Sequence, residues 1–291
     1  MNERQGGLIQ RAAERLRQQP AEVGVLAPTT VPVEQPLVPP AAAVEAQRTS
    51  REVKIDRQRL AKLGITFAVT ERSRIAEEFR IILRQILAKS QAIEAASEGP
   101  SSARLIMITS ARPREGKTFT AINLALAIAS QRDFRVLAMD CDVERQSLTS
   151  VLGIDVETGL FDVLEDERID MRDTLLRTDI PNLTVLPAGR KRPGVPELLS
   201  SRRMRDVLSE MAHRYSDRYI VIDAPPCLAT SDPSILASMV GQIVFVVEAN
   251  RTQEPELEES LRLISTCPNI SLVLNKMDGA SSEHFGSYGY Y

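Results

Sequence analysis

The sequence is poor in aromatic residues, histidine and cysteine. It contains no tryptophan, two histidines and three cysteines in 291 residues. The cysteines are far apart and lack metal-ligand spacing, which is typical of buried thiols in a reducing compartment. The two histidines, His213 and His284, are too isolated in the sequence to support a catalytic role.

Charge and hydropathy disfavour a nucleic-acid-binding, a membrane-spanning and a secreted protein. The formal net charge is -3, whereas a general nucleic-acid-binding protein usually has a strong basic excess, so we expect no nucleic-acid partner. No apolar run approaches the roughly 20 residues needed to cross a bilayer. The first residues, MNERQGGLIQ, lack the apolar stretch of a signal peptide. These absences predict a cytoplasmic protein.

The two ends of the chain differ in composition from the middle. Residues 1–19 mix arginines with a few apolar positions and permit a short amphipathic helix. Residues 20–52 hold six of the 17 prolines without periodicity, which is typical of an extended linker. Residues 281–291 are rich in glycine, serine and tyrosine and predict a flexible tail. We therefore expect a disordered N-terminal extension and a folded domain over residues 53–280.

The middle of the chain alternates apolar strands with helical patterns. Apolar residues at three- and four-residue spacing predict a helix over 73–90, and an almost wholly apolar helix is predicted over 118–130. Strands are predicted over residues 105–109, 134–140, 182–187, 219–223, 241–248 and 270–275. This order predicts an α/β fold with a doubly wound, mostly parallel sheet, which binds ligands beyond the carboxyl ends of its strands.

A phosphate-binding loop directly follows the first of the long strands. The stretch ARPREGKT has Gly116, Lys117 and Thr118 in the defining positions of a P-loop. In such a loop, backbone amides and the helix N-terminus surround the phosphates, the lysine reaches the outer phosphates, and the threonine binds Mg²⁺. The predicted nucleotide-binding residues are Ala111, Arg112, Pro113, Arg114, Glu115, Gly116, Lys117, Thr118 and Phe119. Arg114 occupies a position that suits a small residue better.

Three aspartates stand at the ends of neighbouring predicted strands. Asp140 and Asp142 alternate around Cys141, so an extended segment would direct both carboxylates the same way. The alternative is that an aspartate at a strand end caps the next helix. Asp223 follows four apolar residues, the Walker B arrangement in which a carboxylate holds Mg²⁺. Beside the P-loop, these aspartates predict a metal–phosphate site.

Four motifs in this order resemble the bacterial tyrosine autokinases (BY-kinases), cytoplasmic enzymes of capsular and exopolysaccharide export. The motifs are ITSARPREGKT, VLAMDCDVER, VLPAGRKRPGVPELLSS and YIVIDAPP. The likeness covers about residues 53–291 and extends to the subgroup found beside exosortase-linked polysaccharide genes. It implies a P-loop NTPase of the MinD/ParA-like branch that uses ATP and Mg²⁺ to phosphorylate protein tyrosine.

The resemblance also implies roles for single residues. The catalytic residues would be Lys117, Asp140 and Asp142, with Asp140 as proton acceptor, although the two aspartates could exchange roles. The metal ligands would be Thr118, Asp142 and Asp223. Asn275 would contact adenine.

This chain departs from the usual family pattern in two places. Arg114 replaces the first glycine of the family's Pro-Gly-Glu-Gly-Lys loop. After Asp142, the family usually has Leu-Arg, a basic residue and proline, whereas this chain has Val143, Glu144, Arg145 and Gln146. The contacts of that segment are therefore expected to differ.

Family members end in a tyrosine cluster that is phosphorylated in a neighbouring copy. Five tyrosines are present in the whole chain, and three lie within its last four positions. The resemblance implies that Tyr288, Tyr290 and Tyr291 are the phosphoacceptors. A substrate tyrosine must leave its own fold and enter another subunit, which would explain its position on a flexible, polar tail.

The resemblance further implies assembly and a membrane partner. A family oligomerisation motif, Glu-x-x-Arg-x-x-Arg, is similar to Glu77 and Arg80, with Arg84 one place later than the second arginine. This implies a homo-oligomer, with a ring as one form. In relatives of this layout, a separate membrane-embedded polysaccharide co-polymerase activates the kinase, which implies recruitment to the inner face of the plasma membrane.

Two alternatives to an ATP-dependent kinase remain open. The stretch LVLNKMDG at 272–279 resembles the guanine-reading Asn-Lys-x-Asp motif of GTPases, but Asp223 lacks the glycine that GTPases have three residues later. A MinD/ParA-like ATPase would instead switch dimerisation with nucleotide, without phosphorylating protein. The signature lysine of that class would fall at position 112, which is arginine here.

Overall fold

The structure is a computed structural model that describes residues 51–65, 73–96, 102–145, 147–214 and 218–277. The predicted segment 1–19, all but the last two residues of the predicted linker, and the predicted tail 281–291 lie outside these ranges. The three tyrosines of the tail therefore also lie outside them.

The described strands form one eight-stranded sheet in the order β1-β4-β5-β3-β6-β2-β7-β8. They are β1 (Glu52–Val53), β2 (Leu105–Ser110), β3 (Arg135–Asp140), β4 (Leu176–Thr178), β5 (Leu183–Leu186), β6 (Arg218–Asp223), β7 (Gln242–Glu248) and β8 (Ile270–Asn275). All neighbouring strands are parallel except β4 and β5. The predicted mostly parallel α/β fold is confirmed.

Helices lie between most of the strands. In the described ranges they are α1 (Arg57–Lys62), α2 (Arg74–Ala96), α3 (Lys117–Ala129), α4 (Ser147–Leu152), α5 (Leu160–Glu165), α6 (Met171–Thr174), α7 (Val195–Ser200), α8 (Arg202–Arg214), α9 (Asp232–Ala237) and α10 (Glu254–Leu263). A 3₁₀ turn, Ser102–Arg104, precedes β2.

Apolar side chains from these helices cover both faces of the sheet. On one face, α2 and α3 pack together, and the rings of Phe79 and Phe119 meet edge to face with centroids 6.1 Å apart. On the other face, α5, α7 and α8 contribute Phe161, Leu199 and Met204 to a second core. Because both faces are covered, β2 is buried along its whole length, as its continuous apolar run predicts.

The predicted helix 73–90 ends too early, because α2 continues to Ala96. Residues 91–96, QAIEAA, are mostly good helix formers. The polar Ser90 is tolerated in the core because its hydroxyl donates to the carbonyl of Ala103 at 3.1 Å and accepts from the amide of Gln242 at 2.8 Å. The strands β1 and β4 were missed, since two or three residues show no periodicity.

The strand order brings the predicted site residues to one edge. β6 lies between β2 and β3, and Asp140 is directly paired with Asp223 across β3 and β6. On the other side of β2, β7 and β8 pair Glu248 with Asn275 at their carboxyl ends. The P-loop, which leaves β2, is therefore flanked by β6 and β3 on one side and by β7 and β8 on the other.

Candidate active site

The P-loop joins β2 to α3, and its single glycine has a conformation that other residues rarely adopt. Gly116 precedes the helix with φ +107°. The amide group of Asn275 fills the space where a side chain at Gly116 would lie. The nitrogen of that amide donates to the carbonyl of Glu115 at 2.8 Å. The predicted nucleotide-binding residue Asn275 therefore contacts the main chain of the loop itself.

Arg114 adopts a left-handed conformation, with φ +72°. Such a conformation costs an L-residue roughly 1–2 kcal/mol relative to glycine, which explains why glycine suits this position. Lys276 secures the strained residue, since its ammonium group donates to the Arg114 carbonyl at 2.6 Å. The same ammonium lies 3.2 Å from Oε1 of Glu248.

Glu115 is 2% exposed and binds the loop from inside. One carboxylate oxygen accepts from the backbone N–H of Arg112 at 2.7 Å, and the other accepts from the hydroxyl of Thr252 at 2.5 Å. The guanidinium of Arg112 pairs with Glu256 of α10. These contacts stabilise the shape of the loop and attach it to the segment after β7.

Other predicted loop residues contribute main chain more than side chain. Ala111 is fully buried and Pro113 is half-buried. The half-buried side chain of Phe119 packs against Phe79 at the edge of the core.

Lys117 is the centre of a buried group of charges. It is 4% exposed, and its ammonium lies 2.9 Å from Oδ2 of Asp142 and 3.7 Å from Oδ1 of Asp223. Burial lowers the pKa of Lys117, but Asp223 and then Asp142 outweigh it, so the pKa stays above its ordinary value. The lysine is therefore held as a cation at the first turn of α3.

Asp140 is fully buried, and both of its carboxylate oxygens have partners. Oδ1 accepts from the backbone N–H of Asp142 at 3.1 Å, and Oδ2 accepts from the backbone N–H of Thr149 at 3.3 Å. Burial, followed by the charge of Asp223, raises the pKa of Asp140 to about 7. Since Thr149 lies in the first turn of α4, Asp140 acts like a helix cap. The sequence predicts that the carboxylates of Asp140 and Asp142 point the same way, toward the phosphates. The structure agrees better for Asp142, whose carboxylate faces Lys117, than for Asp140, whose carboxylate accepts from backbone N–H groups.

Thr118 and Asp223 form the part of the site that suits a magnesium ion. The Thr118 hydroxyl donates to Oδ2 of Asp223 at 2.8 Å. The buried Oδ1 of Asp223 has no hydrogen-bond partner in the described residues. Mg²⁺ is commonly bound by one or two protein oxygens, with the phosphates of a substrate and water completing its shell. These two side chains fit such an ion.

The three aspartates do not converge on one point. No group of three or more histidine, cysteine, aspartate or glutamate side chains in the described ranges is arranged to hold a metal ion. Asp142 faces Lys117, and Asp140 lies behind the backbone of Asp142. A cation here would depend on the phosphates as much as on the protein.

Several contacts of the site were not predicted from the sequence. Lys276, Thr252 and Thr149 hold the P-loop or the segment after β3. A sequence signal existed for Lys276, because it follows Asn275 in the Asn-Lys-x-Asp stretch. The threonines have no motif, and their roles depend on which loops lie side by side.

The predicted oligomerisation residues lie apart from the P-loop, on the first three turns of α2. Arg80 and Glu77 form an ion pair with 2.5 Å between Nη1 and Oε2, and Arg84 is exposed. Such exposed pairs contribute little to folding, typically about 0–1 kcal/mol.

Comparison with known proteins identifies the family. A family profile described as an AAA domain matches residues 103–270. The tyrosine-protein kinase YwqD of Bacillus subtilis (strain 168) is 31% identical over 186 residues, which are 64% of this chain and 76% of YwqD. The chain belongs to the BY-kinase family. The predicted resemblance is thereby confirmed at the level of the family.

Relatives of this BY-kinase differ greatly in length. Tyrosine-protein kinase ptk of Acinetobacter johnsonii is 34% identical over 163 residues, which are 55% of this chain but 22% of that protein. The chain thus spans under a quarter of that relative's length. The homologues are tyrosine-protein kinases.

Solved structures agree with this assignment. The kinase domain of Escherichia coli tyrosine kinase ETK is 31% identical, with a TM-score of 0.56 over 64% of this chain and 72% of that one. The chimeric protein CapA2B2 has a TM-score of 0.62 over 81% of this chain and 99% of that one, at 23% identity. The MinC:MinD complex of Aquifex aeolicus has a TM-score of 0.53 over 62% and 72%, at 20% identity. The last two are under 25% identical and show the fold alone, a fold that resembles that of the MinC:MinD complex.

None of the helices in the described ranges is both long and apolar enough to cross a bilayer.

Proposed function

We propose that this BY-kinase is an ATP-dependent tyrosine autokinase that phosphorylates Tyr288, Tyr290 and Tyr291 of a neighbouring copy. The observation that carries the proposal is the buried contact of Lys117 with Asp142 and Asp223 at a P-loop, in a chain whose homologues are tyrosine kinases. Phosphoryl transfer depends on positioning and charge neutralisation. A cation held between two carboxylates beside the amides of the loop supplies both.

In the proposed mechanism, Lys117 changes partner when ATP binds. The outer phosphates compete with Asp142 for the ammonium group, because they carry more negative charge. The lysine then stays paired with the nucleotide during transfer, and the amides of the loop bind the remaining phosphate oxygens. The exchange leaves the carboxylate of Asp142 at the phosphates.

Asp142 is the better candidate to take the proton of the tyrosine hydroxyl. A tyrosine hydroxyl has a reference pKa near 10, so a carboxylate within reach assists transfer. Asp140 has both oxygens engaged and is fully buried. We therefore exchange the two roles implied by resemblance: Asp142 contacts the substrate, and Asp140 positions Asp142 through its backbone N–H.

The proposed cofactor is Mg²⁺, held by Thr118 and Asp223 with Asp142 close by. When bound, the ion neutralises charge that develops on the β- and γ-phosphates. Thr118 and Asp223 already face each other at 2.8 Å, so the protein ligands need little reorganisation to receive it.

The proposed setting is polysaccharide synthesis and export. Family resemblance supports a cytoplasmic enzyme that forms a homo-oligomer through Glu77, Arg80 and Arg84 and is recruited to the plasma membrane by a membrane-embedded co-polymerase. The same resemblance supports placement in the exosortase-linked subgroup and regulation of exopolysaccharide polymerisation. In this proposal no nucleic acid is a partner.

The test is incubation of the full chain with γ-labelled ATP and Mg²⁺, followed by mass spectrometric mapping. We expect label on Tyr288, Tyr290 and Tyr291. Formation of ADP and free phosphate without labelled protein would support the MinD/ParA-like ATPase instead. GTP in place of ATP tests the other alternative, and we expect it to be the poorer donor.

A further inference from the structure

A cavity of about 370 Å³ lies beside the P-loop. Its charged lining residues are Arg112, Arg114, Glu115, Arg145, Glu248 and Arg251. Four arginines against two glutamates leave an excess of two positive charges, in a chain whose net charge is -3. The cavity is therefore suited to an anion.

Both carboxylates of the cavity already have partners. Glu115 accepts from the Arg112 backbone and from Thr252. Glu248 pairs with Lys276 and, at 3.4 Å, with Arg251. These glutamates stabilise the walls of the cavity, and Glu248 neutralises the charge of Arg251. Other arginines of the cavity have no carboxylate partner among them.

Arg114 and Arg145 are those arginines. Both are exposed, and neither forms an ion pair within the part of the chain that the structure describes. Arg145 follows Asp142 closely, because its backbone N–H donates to Oδ1 of Asp142 at 3.3 Å. The cavity that the two arginines line therefore lies next to Asp142, the partner of Lys117.

Arg114 stands where this chain departs from its family's pattern. Arg114 replaces a glycine and has a left-handed conformation that suits glycine, with φ +72°. A non-glycine residue in that region is strained, and such strain is most often found at functional sites. Arg145 is the one position of the segment after Asp142 that keeps the basic residue of the family's pattern. One departure and one retained basic residue therefore place two arginines at one cavity.

The proposed contacts to ATP do not use these two side chains. In the proposed function the loop amides and the buried Lys117 bind the triphosphate, whereas Arg114 and Arg145 are exposed. Resting on the proposed function, we infer that the two arginines bind an anionic group on the acceptor polypeptide next to the accepting tyrosine. We assign this group as a phosphotyrosine in the tyrosine cluster of a second copy.

Charge complementarity supports that occupant. The last nine residues, EHFGSYGYY, contain one acidic side chain, so the unmodified cluster has little negative charge for an arginine to bind. One phosphorylation adds about -1.5 to -2 charges, one to three residues from the next acceptor. The guanidinium group binds phosphate with two parallel hydrogen bonds. The first phosphotyrosine would therefore promote phosphorylation of the next tyrosine.

The experiment compares three synthetic peptides of residues 281–291 with the full-length kinase. In all three, Tyr291→Phe leaves Tyr290 as the acceptor, and position 288 is phosphotyrosine, glutamate or phenylalanine. We expect kcat/KM to be about tenfold higher for the phosphotyrosine peptide than for the phenylalanine peptide, the ratio given by about 1.4 kcal/mol from one charged hydrogen bond. The glutamate peptide should fall between the two.

The matched variants are Arg114→Gly and Arg145→Gln. Arg114→Gly restores the family's residue at a φ that suits glycine, so it is expected to fold. Both variants should lose the preference for phosphotyrosine, and Arg145→Gln, which lies outside the P-loop, should keep activity on the phenylalanine peptide. Arg202→Gln on α8 removes an exposed charge, paired with Asp206, that does not line the cavity and should keep the preference.

Equal rates on the three peptides would overturn the inference and leave the kinase proposal intact. A uniform rise in KM for ATP in the variants, without a change in peptide preference, would overturn it by placing the arginines in the nucleotide site. A glutamate peptide as good as the phosphotyrosine peptide would overturn the assigned occupant.

If no peptide is phosphorylated, the kinase proposal fails separately. The binding affinity of a fluorescently labelled phosphotyrosine peptide for wild-type and Arg145→Gln protein then tests the inference. Equal affinity for the two proteins would overturn it.

Discussion

The two flanks of the P-loop are built from different kinds of contact. On the β3–β6 flank, Lys117 and its aspartates are all at most 4% exposed, and their side chains interact with one another. On the β7–β8 flank, Asn275 and Lys276 are half-buried or exposed and bind carbonyl groups of the loop. One flank holds interacting charges, whereas the other holds main chain in place.

This difference separates chemistry from loop shape. Buried charges are coupled, because each changes the pKa and position of the next in a medium that screens poorly. Contacts to carbonyl groups act on the conformation of Arg114 and Glu115 and therefore on how the amides meet a nucleotide. We expect substitutions on the first flank to lower kcat and substitutions on the second to raise KM for ATP.

The largest effect is expected for Lys117→Met. Loss of one preorganised charge contact to the transferring phosphoryl group typically lowers the rate by about 10²–10³ or more, and here the two aspartates would also lose their counterion. Phosphotyrosine formation should fall by at least that factor, as measured with labelled ATP. Circular dichroism serves as the control for folding. A folded variant with wild-type phosphorylation would remove the site from this loop.

The next largest effect on the rate is expected for Asp142→Asn, with Asp140→Asn as the variant for comparison. Asp142→Asn removes the carboxylate that faces Lys117 and should lower kcat by about 10²–10³. Asp140→Asn keeps an oxygen that accepts from the Asp142 N–H. It should lower kcat less, since Asp140 acts by positioning Asp142. Single-turnover rates at saturating ATP measure both. A larger loss in the Asp140 variant would return the proton-acceptor role to Asp140.

Lys276→Met tests the β7–β8 flank with a smaller expected effect. Loss of a charged hydrogen bond to the Arg114 carbonyl is worth about 1.5–3 kcal/mol, part of which the loop recovers by relaxing. We expect KM for ATP to rise about tenfold with little change in kcat. Lys89→Met, whose ammonium binds Ser271 on the same strand pair, is the control. A lower kcat at unchanged KM would contradict the division between flanks.

The smallest effect concerns stability and pH. Burial raises the pKa of Asp140 from 3.8 to about 7, so the folded state binds its proton more tightly than the unfolded state does. Its contribution is fully present below about pH 4 and is lost as pH rises through about 7. Between pH 5 and 8, wild type should therefore lose stability relative to Asp140→Asn, by a few degrees in Tm.

Thermal unfolding in EDTA without nucleotide measures this difference. A gap between the two proteins that stays constant with pH would mean that Asp140 does not titrate in this range.

Long, regular patterns allowed most of the fold to be predicted. Continuous apolar runs correspond to β2, β3, β6 and β7, because strands covered on both faces exclude polar residues. The end of α2 was wrong by six residues, because the tertiary contact of Ser90 with Gln242 permits a polar residue inside the core. The segments β1 and β4 are strands only because they pair with neighbouring strands in the sheet.

By itself, the sequence determined that Lys117 and Thr118 begin a helix after a buried strand and that Asp223 ends another. These positions follow from the spacing of residues that are close in the sequence, and local backbone geometry is sufficient to predict them. Only the tertiary structure decided that Asn275, 160 positions from Glu115 along the chain, binds the loop, and that Asp140 lies behind Asp142. The physical reason is that such roles depend on strand order and on which polar groups are excluded from water, and neither is encoded in local periodicity.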